Sequence, residues 1–375
     1  MPYVNKEMDK QPDALADIMR LRPADADTTA TPVDHLYERM KGAVMGRFAG
    51  CTLGAPVEMW TIDRMMELAL DCGMAFPPVD YWEEVPNPEG IRYGVGKRKE
   101  YTRPMMDKVP VDDDVTYPIL NLLCLEKYGK NYSVADMGQI WMDILPMACT
   151  AEEEALFQLK AGTKAEYAAN FNRYVELIGA AIRGDVFGYV EAGNPEAAAK
   201  LSYNDAYLTH RKNGIYGEMF TAASVAAAFT AKTPLDAVKA GMKQIPAESE
   251  LYQALEWAMS YEGKMTNFLT ARRLLDEKFK GMHPVHTINN MCAVVFALMI
   301  GGDDFTACIA NSVAMGLDND CNGATVGSIA GACLGIDKVS PHWYECFNDK
   351  VATYLTGYEM LSIEDVIQRL VKLNG

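Results

Sequence analysis

The chain has 375 residues, 49% of them hydrophobic, and a formal net charge of -16 at neutral pH. That length and apolar content suffice for a substantial core, in one large domain or roughly two to three smaller ones, while the acidic balance excludes non-specific attraction to nucleic acid. The longest strongly apolar run, Met291 to Ile300, is too short to span a bilayer, and MPYVNKEMDK lacks a signal-peptide core, so a cytoplasmic protein with neither membrane nor nucleic-acid partner is expected.

In chain order, a polar N-terminal leader (residues 1–34) precedes a helix over His35 to Leu53. Its sequence runs on as KGAVMGRFAGCTLGAPVE, with glycine at every fourth position: Gly42, Gly46, Gly50 and Gly54. Residues four apart share a helix face. Glycine costs about 1 kcal/mol per helix-interior position relative to alanine, so the stripe needs a return, and close approach of another backbone supplies one. Residues 72–111 then form an irregular segment rich in Pro, Gly and aromatics, among them Tyr81, Trp82, Tyr93 and Tyr101. Such a segment reads either as an active-site loop or as a cover over the core. In the first case Trp82 or a nearby tyrosine is expected to stack on a flat ligand.

Next comes VPVDDDVTYPILNLLCLEKYG, in which Asp112, Asp113 and Asp114 stand before a helix over Val115 to Lys127. Asp114 is expected to cap it, with Pro118 tolerated in the first turn. Helical periodicity recurs over Val134–Leu145, Arg173–Ile182, Pro195–Ala206, Gly217–Thr230, Leu235–Gln244, Glu250–Ser260, Ile288–Met299, Thr306–Met315, Asn322–Leu334 and Ile363–Leu373. Ser133 with Asp136 and Ser362 with Asp365 resemble capping boxes, and Gly129 and Gly301 stand where helices stop. No strand alternation competes, so residues 35–375 read as a single all-α domain. The nine cysteines show no C-x-x-C pair and read as buried free thiols of a reducing compartment.

The second glycine stripe lies in GLDNDCNGATVGSIAGACLG, where Asp318 and Asp320 open the helix. Two carboxylate groups thus precede two helices. A helix N-terminus offers free N–H groups and partial positive charge, which orients carboxylates and keeps them ionised. Either cluster alone reads as a cap or a solvated acidic turn. Together they suit a hard cation with oxygen ligands.

The combination of GAVMGRFAGCTLGAPVE, Asp112 to Asp114 and GLDNDCNGATVGSIAGA resembles the ADP-ribosylglycohydrolase family, which includes the enzyme that removes ADP-ribose from dinitrogenase reductase; the likeness runs from about Leu36 to Gly335. The resemblance implies a single compact orthogonal multi-helix bundle. It also implies two Mg2+ ions in a cleft and hydrolysis of an N- or O-glycosidic bond at the anomeric carbon of a ribose. The substrate is then an ADP-ribosylated protein, or an ADP-ribose or nucleoside-like small molecule. The family's Thr-Asp-Asp-Thr stands here as Asp112, Asp113, Asp114 and Val115. Its Gly-Asp-Thr-Asp-Thr stands as Gly316, an inserted Leu317, Asp318, Asn319, Asp320 and Cys321. Asp112, Asp113, Asp114, Asp318, Asp320 and Cys321 are therefore the implied metal positions. Cysteine is a poor ligand for magnesium, and Asn322 offers a carbonyl oxygen instead.

Glu58 matches the glutamate ending the family's first motif and, with Asp113, is the implied catalytic carboxylate. IGAAIRGDVFGY resembles the central Asn-Gly-Ala-x-Met-Arg motif with Ile178 for asparagine, which makes Gly179 and Arg183 substrate contacts. LTHRKNGIYGEMFTAASVAAAF resembles the Thr-His segment and adds His210, Asn213 and Tyr216. Arg211 and Lys212 read as diphosphate contacts or as surface charges in equal measure. The departures at Val115, Cys321 and Ile178 leave two other readings open. One is a small-molecule nucleoside or other glycoside hydrolase on the same scaffold, and the other a non-catalytic metal- or nucleotide-binding sensor.

Overall fold

The computed structural model describes residues 10–26 and 28–374. Helices α1 (Leu15–Arg20), α2 (Leu36–Gly54) and α3 (Ile62–Asp71) lead to a hairpin of β1 (Ile91–Arg92) and β2 (Gly96–Lys97). Next come α4 (Asp113–Tyr128), α5 (Val134–Ile144), α6 (Thr150–Lys160), α7 (Asp185–Val190), α8 (Pro195–Thr209) and α9 (Asn213–Ala228). They are followed by α10 (Pro234–Met242), α11 (Glu250–Met259), α12 (Phe268–Lys278), α13 (Thr287–Gly301), α14 (Phe305–Ala314) and α15 (Asn319–Leu334). A second hairpin, β3 (Lys350–Ala352) with β4 (Met360–Ser362), precedes α16 (Ile363–Leu373). The fold is all-α, and among the described residues these two small antiparallel hairpins are the only sheet.

The two glycine stripes are one seam. Helices α2 and α15 run antiparallel, with Gly42 against Gly331, Gly46 against Gly327 and Gly50 against Gly323. In each pair a Cβ added to either glycine would run into the partner's backbone carbonyl. The backbones therefore meet at a distance no side chain permits. Alanine at Gly50, which helix propensity favours by about 1 kcal/mol, has to push the two helices apart. At the end of the seam Gly54 lies against Asn319 and Asp320, which brings the chain beyond α2 onto the first turn of α15.

Helices α2, α9, α13 and α15 are buried on nearly every face. Helix α9 shows how: its run of Ala, Gly, Ser and Thr lets neighbours close in from all sides. Outer helices such as α16 keep one apolar stripe, here Ile363, Val366, Ile367 and Leu370. The segment ahead of α2 packs on this body. Ile18 of α1 is fully buried, and the Tyr203 and Tyr216 hydroxyls donate to the carbonyls of Asp13 and Pro12.

Several local expectations change. Arg173–Ile182 is not an α-helix: Ile178 N–H donates to Val285 O and Thr287 N–H to Glu176 O, so extended backbone pairing takes this stretch before a 3₁₀ turn over Ile178–Arg183. Helices α1, α3, α6, α7 and α12 have no counterpart among the periodic stretches of the sequence, although α6 (TAEEEALFQLK) is rich in good helix formers. Of the cysteines, Cys149 is exposed, and Cys72 and Cys346 are only partly buried. All nine are free, as expected. Among the described residues no helix is long and apolar enough to cross a membrane.

Candidate functional site

Three chain regions converge at the end of the α2–α15 seam. Glu58 follows a 3₁₀ turn (Ala55–Val57) that continues α2. Asn319 clamps this stretch from both sides: its Oδ1 accepts from Met59 N–H at 3.2 Å and its Nδ2 donates to Val57 O at 3.3 Å. Nothing in the local sequence marks Asn319 for this role, because neither partner lies near it in the chain.

The second region is the start of α4. Its N-cap is Asp112, not Asp114, since Asp112 Oδ1 accepts from Asp114 N–H at 3.2 Å. The helix begins two residues earlier than expected, so Pro118 falls in its second turn. A proline there leaves the carbonyl four residues back without its helical donor. That carbonyl belongs to Asp114, and Arg47 Nε of α2 donates to it at 2.9 Å. The same buried guanidinium reaches Asp114 Oδ1 at 3.1 Å, Asp185 Oδ2 at 2.7 Å and Ile182 O at 2.6 Å.

The third region is the approach to α15. Gly316 and Leu317 both adopt left-handed backbone, with φ of 71° and 64°. This is unusual for leucine, and it turns the chain sharply into Asp318. Asn290 of α13 fixes the result: its Oδ1 accepts from Asp318 N–H at 3.2 Å and from Asn322 Nδ2 at 2.8 Å. Asp320 Oδ1 accepts from Cys321 N–H at 3.0 Å.

Carboxylate or thiol ligand atoms of Glu58, Asp318 and Asp320 lie within 4.8 Å of one another, as do those of Asp114, Asp320 and Cys321, and those of Cys51, Asp112 and Asp114. Asp114 Oδ2, Asp318 Oδ1 and Asn322 Oδ1 are buried acceptors without a hydrogen-bond partner among the described residues. Burial first, and then neighbouring acids, hold Asp318 well above the usual carboxylate range; burial does the same to Asp112 and Asp114 against the pull of Arg92 and Arg47 respectively. Repulsion by Asp320 pushes Glu58 up to about 8, and with 40% of its side chain exposed, that charge rather than burial is the main cause. Burial pushes the Cys321 thiol far up as well, which keeps it protonated beside Asp114 and Asp318.

One cation of the site carries no mark in the sequence. Arg92 of β1 enters the acids, with its guanidinium 3.0 Å from Asp112 Oδ2, 3.1 Å from Glu58 Oε2 and 3.4 Å from Asp320 Oδ2. Beside it, Tyr93 donates its hydroxyl to Asp113 Oδ1 at 2.7 Å and stacks on Tyr354. The irregular segment therefore reaches the site through its hairpin. Trp82 does not: it is fully buried and donates Nε1–H to Leu53 O at 3.0 Å, so it is a core residue and no stacking platform. Tyr81 and Tyr101 are buried too.

The remaining predicted residues form two further groups. Gly179, Arg183 and His210 meet in a buried network against α4. Arg183 donates to Asp205, Glu152 and Thr209, the Thr209 hydroxyl meets His210 Nδ1 at 2.6 Å, and the Glu152 carboxylate fills the space where Gly179 would carry a Cβ. Burial and the nearby Arg183 charge hold His210 well below its usual range, hence neutral. Asn213 donates to Gln11 and Glu176, and Tyr216 to Pro12 O, so both engage the N-terminal segment. Arg211 stacks on Tyr207 and donates to backbone carbonyls.

Residues 32–374 match the family model described as ADP-ribosylglycohydrolase. Among solved structures, an ADP-ribosylglycohydrolase-related protein complex has 18% sequence identity and a TM-score of 0.55, over 91% of this chain and 99% of that one. At that identity the likeness speaks for the fold. No curated protein matches the chain.

Proposed function

The chain belongs to the ADP-ribosylglycohydrolase family, and on that premise we propose that it is a Mg2+-dependent hydrolase that cleaves the glycosidic bond at the anomeric carbon of an ADP-ribosyl group. The observation that supports this reading is the convergence of Glu58, Asp112, Asp114, Asp318 and Asp320, with Asp114 Oδ2, Asp318 Oδ1 and Asn322 Oδ1 lacking hydrogen-bond partners among the described residues. Orphaned carboxylate and carbonyl oxygens are the donor set a hard divalent cation takes. The residues present therefore fit the ion, with Asp114, Asp318 and Asp320 as its first holders and Asn322 beside them. When bound, such an ion supplies charge that orients the ribose hydroxyls and the attacking water.

The chain's own groups do the rest. Glu58, the most exposed of the acids whose oxygens converge here, takes the proton of the water that attacks the anomeric carbon and passes it to the leaving nitrogen or oxygen, which departs with the electrons of the broken glycosidic bond. The oxocarbenium-like charge that develops faces the Asp113 carboxylate, held in place by Tyr93. Arg92 and Asp320 set the basicity of Glu58 from opposite sides, the one lowering and the other raising it.

These shifts have a sign. Glu58, Asp112, Asp114 and Asp318 hold protons in the folded, ion-free chain that the unfolded chain releases above its ordinary carboxylate range. For Glu58 the resulting loss of ion-free stability runs as pH rises from about 4.5 to about 8, and the aspartates act in the same direction. A cation displaces those protons, so its stabilising effect grows over the same window. Melting curves in millimolar Mg2+ are expected to lie about 3 °C or more above those in chelator when the ion is near 100 times its Kd. The gap should be wider at about pH 8 than at about pH 6. A melting temperature indifferent to both Mg2+ and chelator at both pH values counts against a metal centre.

A further inference from the structure

Resting on the metal reading above, we propose that Arg92 is a built-in cation that takes the place of one metal ion, so that the centre binds a single divalent cation. The acids divide into two halves by how their oxygens are engaged. In one half every oxygen that faces Arg92 is already served. Asp112 Oδ1 accepts from Asp114 N–H and its Oδ2 from Arg92, Asp320 Oδ2 accepts from Arg92, and Glu58 Oε2 forms an ion pair with it. In the other half, Asp114 Oδ2 and Asp318 Oδ1 have no geometric hydrogen-bond partner among the described residues, and the neighbour they share is the uncharged Cys321 thiol. Protein charge fills the first half and leaves the second open, with Asp320, whose oxygens lie near both Asp318 and Asp114, shared between the two.

Arg92 is held as a structural cation would be. Its side chain is 11% exposed, its Nη1 donates to Ala55 O at 2.7 Å, and its guanidinium lies 5.3 Å from the ring centres of both Tyr93 and Tyr101. The hairpin that carries it is pinned at its root, because Gly96 packs on Val111 and the Tyr101 hydroxyl donates to Val111 O, the residue before Asp112. A planar guanidinium bridges carboxylates from several directions, which a hydrated lysine does less well. Fully buried Asp112 has this guanidinium as its ion-pair partner. Asp112 thus serves Arg92 and stays outside the ligand set of the open half.

Counting bound Mn2+ by electron paramagnetic resonance of the free ion tests this on the full-length protein without an activity assay. The wild-type chain is expected to bind one ion, Arg92→Lys one, and Arg92→Ala two, or one with at least tenfold tighter binding. Two ions in the wild type overturn the proposal while leaving the metal reading intact, and this holds even if the alanine variant fails to fold. One ion of unchanged affinity in a folded Arg92→Ala variant also overturns it. No bound ion in any of the three proteins overturns both readings.

Discussion

Glu58→Gln is expected to lower glycosidic turnover by about 10²- to 10⁴-fold, the range that a positioned acid or base contributes, while substrate binding persists. Glutamine keeps the shape of the side chain and can still meet Arg92 through its carbonyl oxygen. It cannot take a proton from water. The carboxylate is suited to that task because Asp320 raises it to about 8 and Arg92 restrains the rise, which leaves it near the operating pH once a cation offsets part of the Asp320 charge. Ligand binding is read by calorimetry with an ADP-ribose analogue, and turnover by product release. Turnover equal to the wild type removes Glu58 from the mechanism.

The largest stability loss is expected at Arg47. Removing one partner of a buried ion pair typically costs about 3–5 kcal/mol, because the other charge stays buried without compensation. Arg47→Met leaves Asp114 and Asp185 in that state, and also leaves the Asp114 carbonyl, which Pro118 deprives of a helical donor, unbonded. Both aspartates are already raised by burial and opposed by Arg47. Without it they bind protons more tightly in the folded state, so the deficit should shrink as pH falls. Urea unfolding near neutral pH and again near pH 5 measures both effects. A loss below about 1 kcal/mol would mean that the network has another source of compensation.

Both sites show what local sequence carries and what it does not. The glycine stripes were legible because a four-residue period is a property of one helix, and their cost demanded a close contact. That the two stripes contact each other was not, since nothing in either stripe names its partner. The acids at 112–114, 318 and 320 were legible from their place before helices, and Glu58 through the motif that ends there. Arg92 was not, because a hairpin of two-residue strands leaves no periodic signal and its role exists only where it meets Asp112, 20 residues on. Arg47 sits inside the first glycine stripe, a lone charge among small and apolar residues, which marks it as buried and paired. Asn290 and Asn319 had no comparable mark. Trp82 misled for the opposite reason: an aromatic in an irregular segment reads equally as a ligand platform or as core, and the bond to Leu53 O decided for core.

The central claim is tested most directly by mass spectrometry of the products formed from a mixed pool of ADP-ribosylated peptides, ADP-ribose derivatives and nucleosides, with Mg2+ or with chelator. Release of free ADP-ribose with Mg2+ and not with chelator is the predicted result. Release that chelator leaves unchanged, or metal-dependent loss of a nucleoside with the ADP-ribosyl compounds intact, would contradict it.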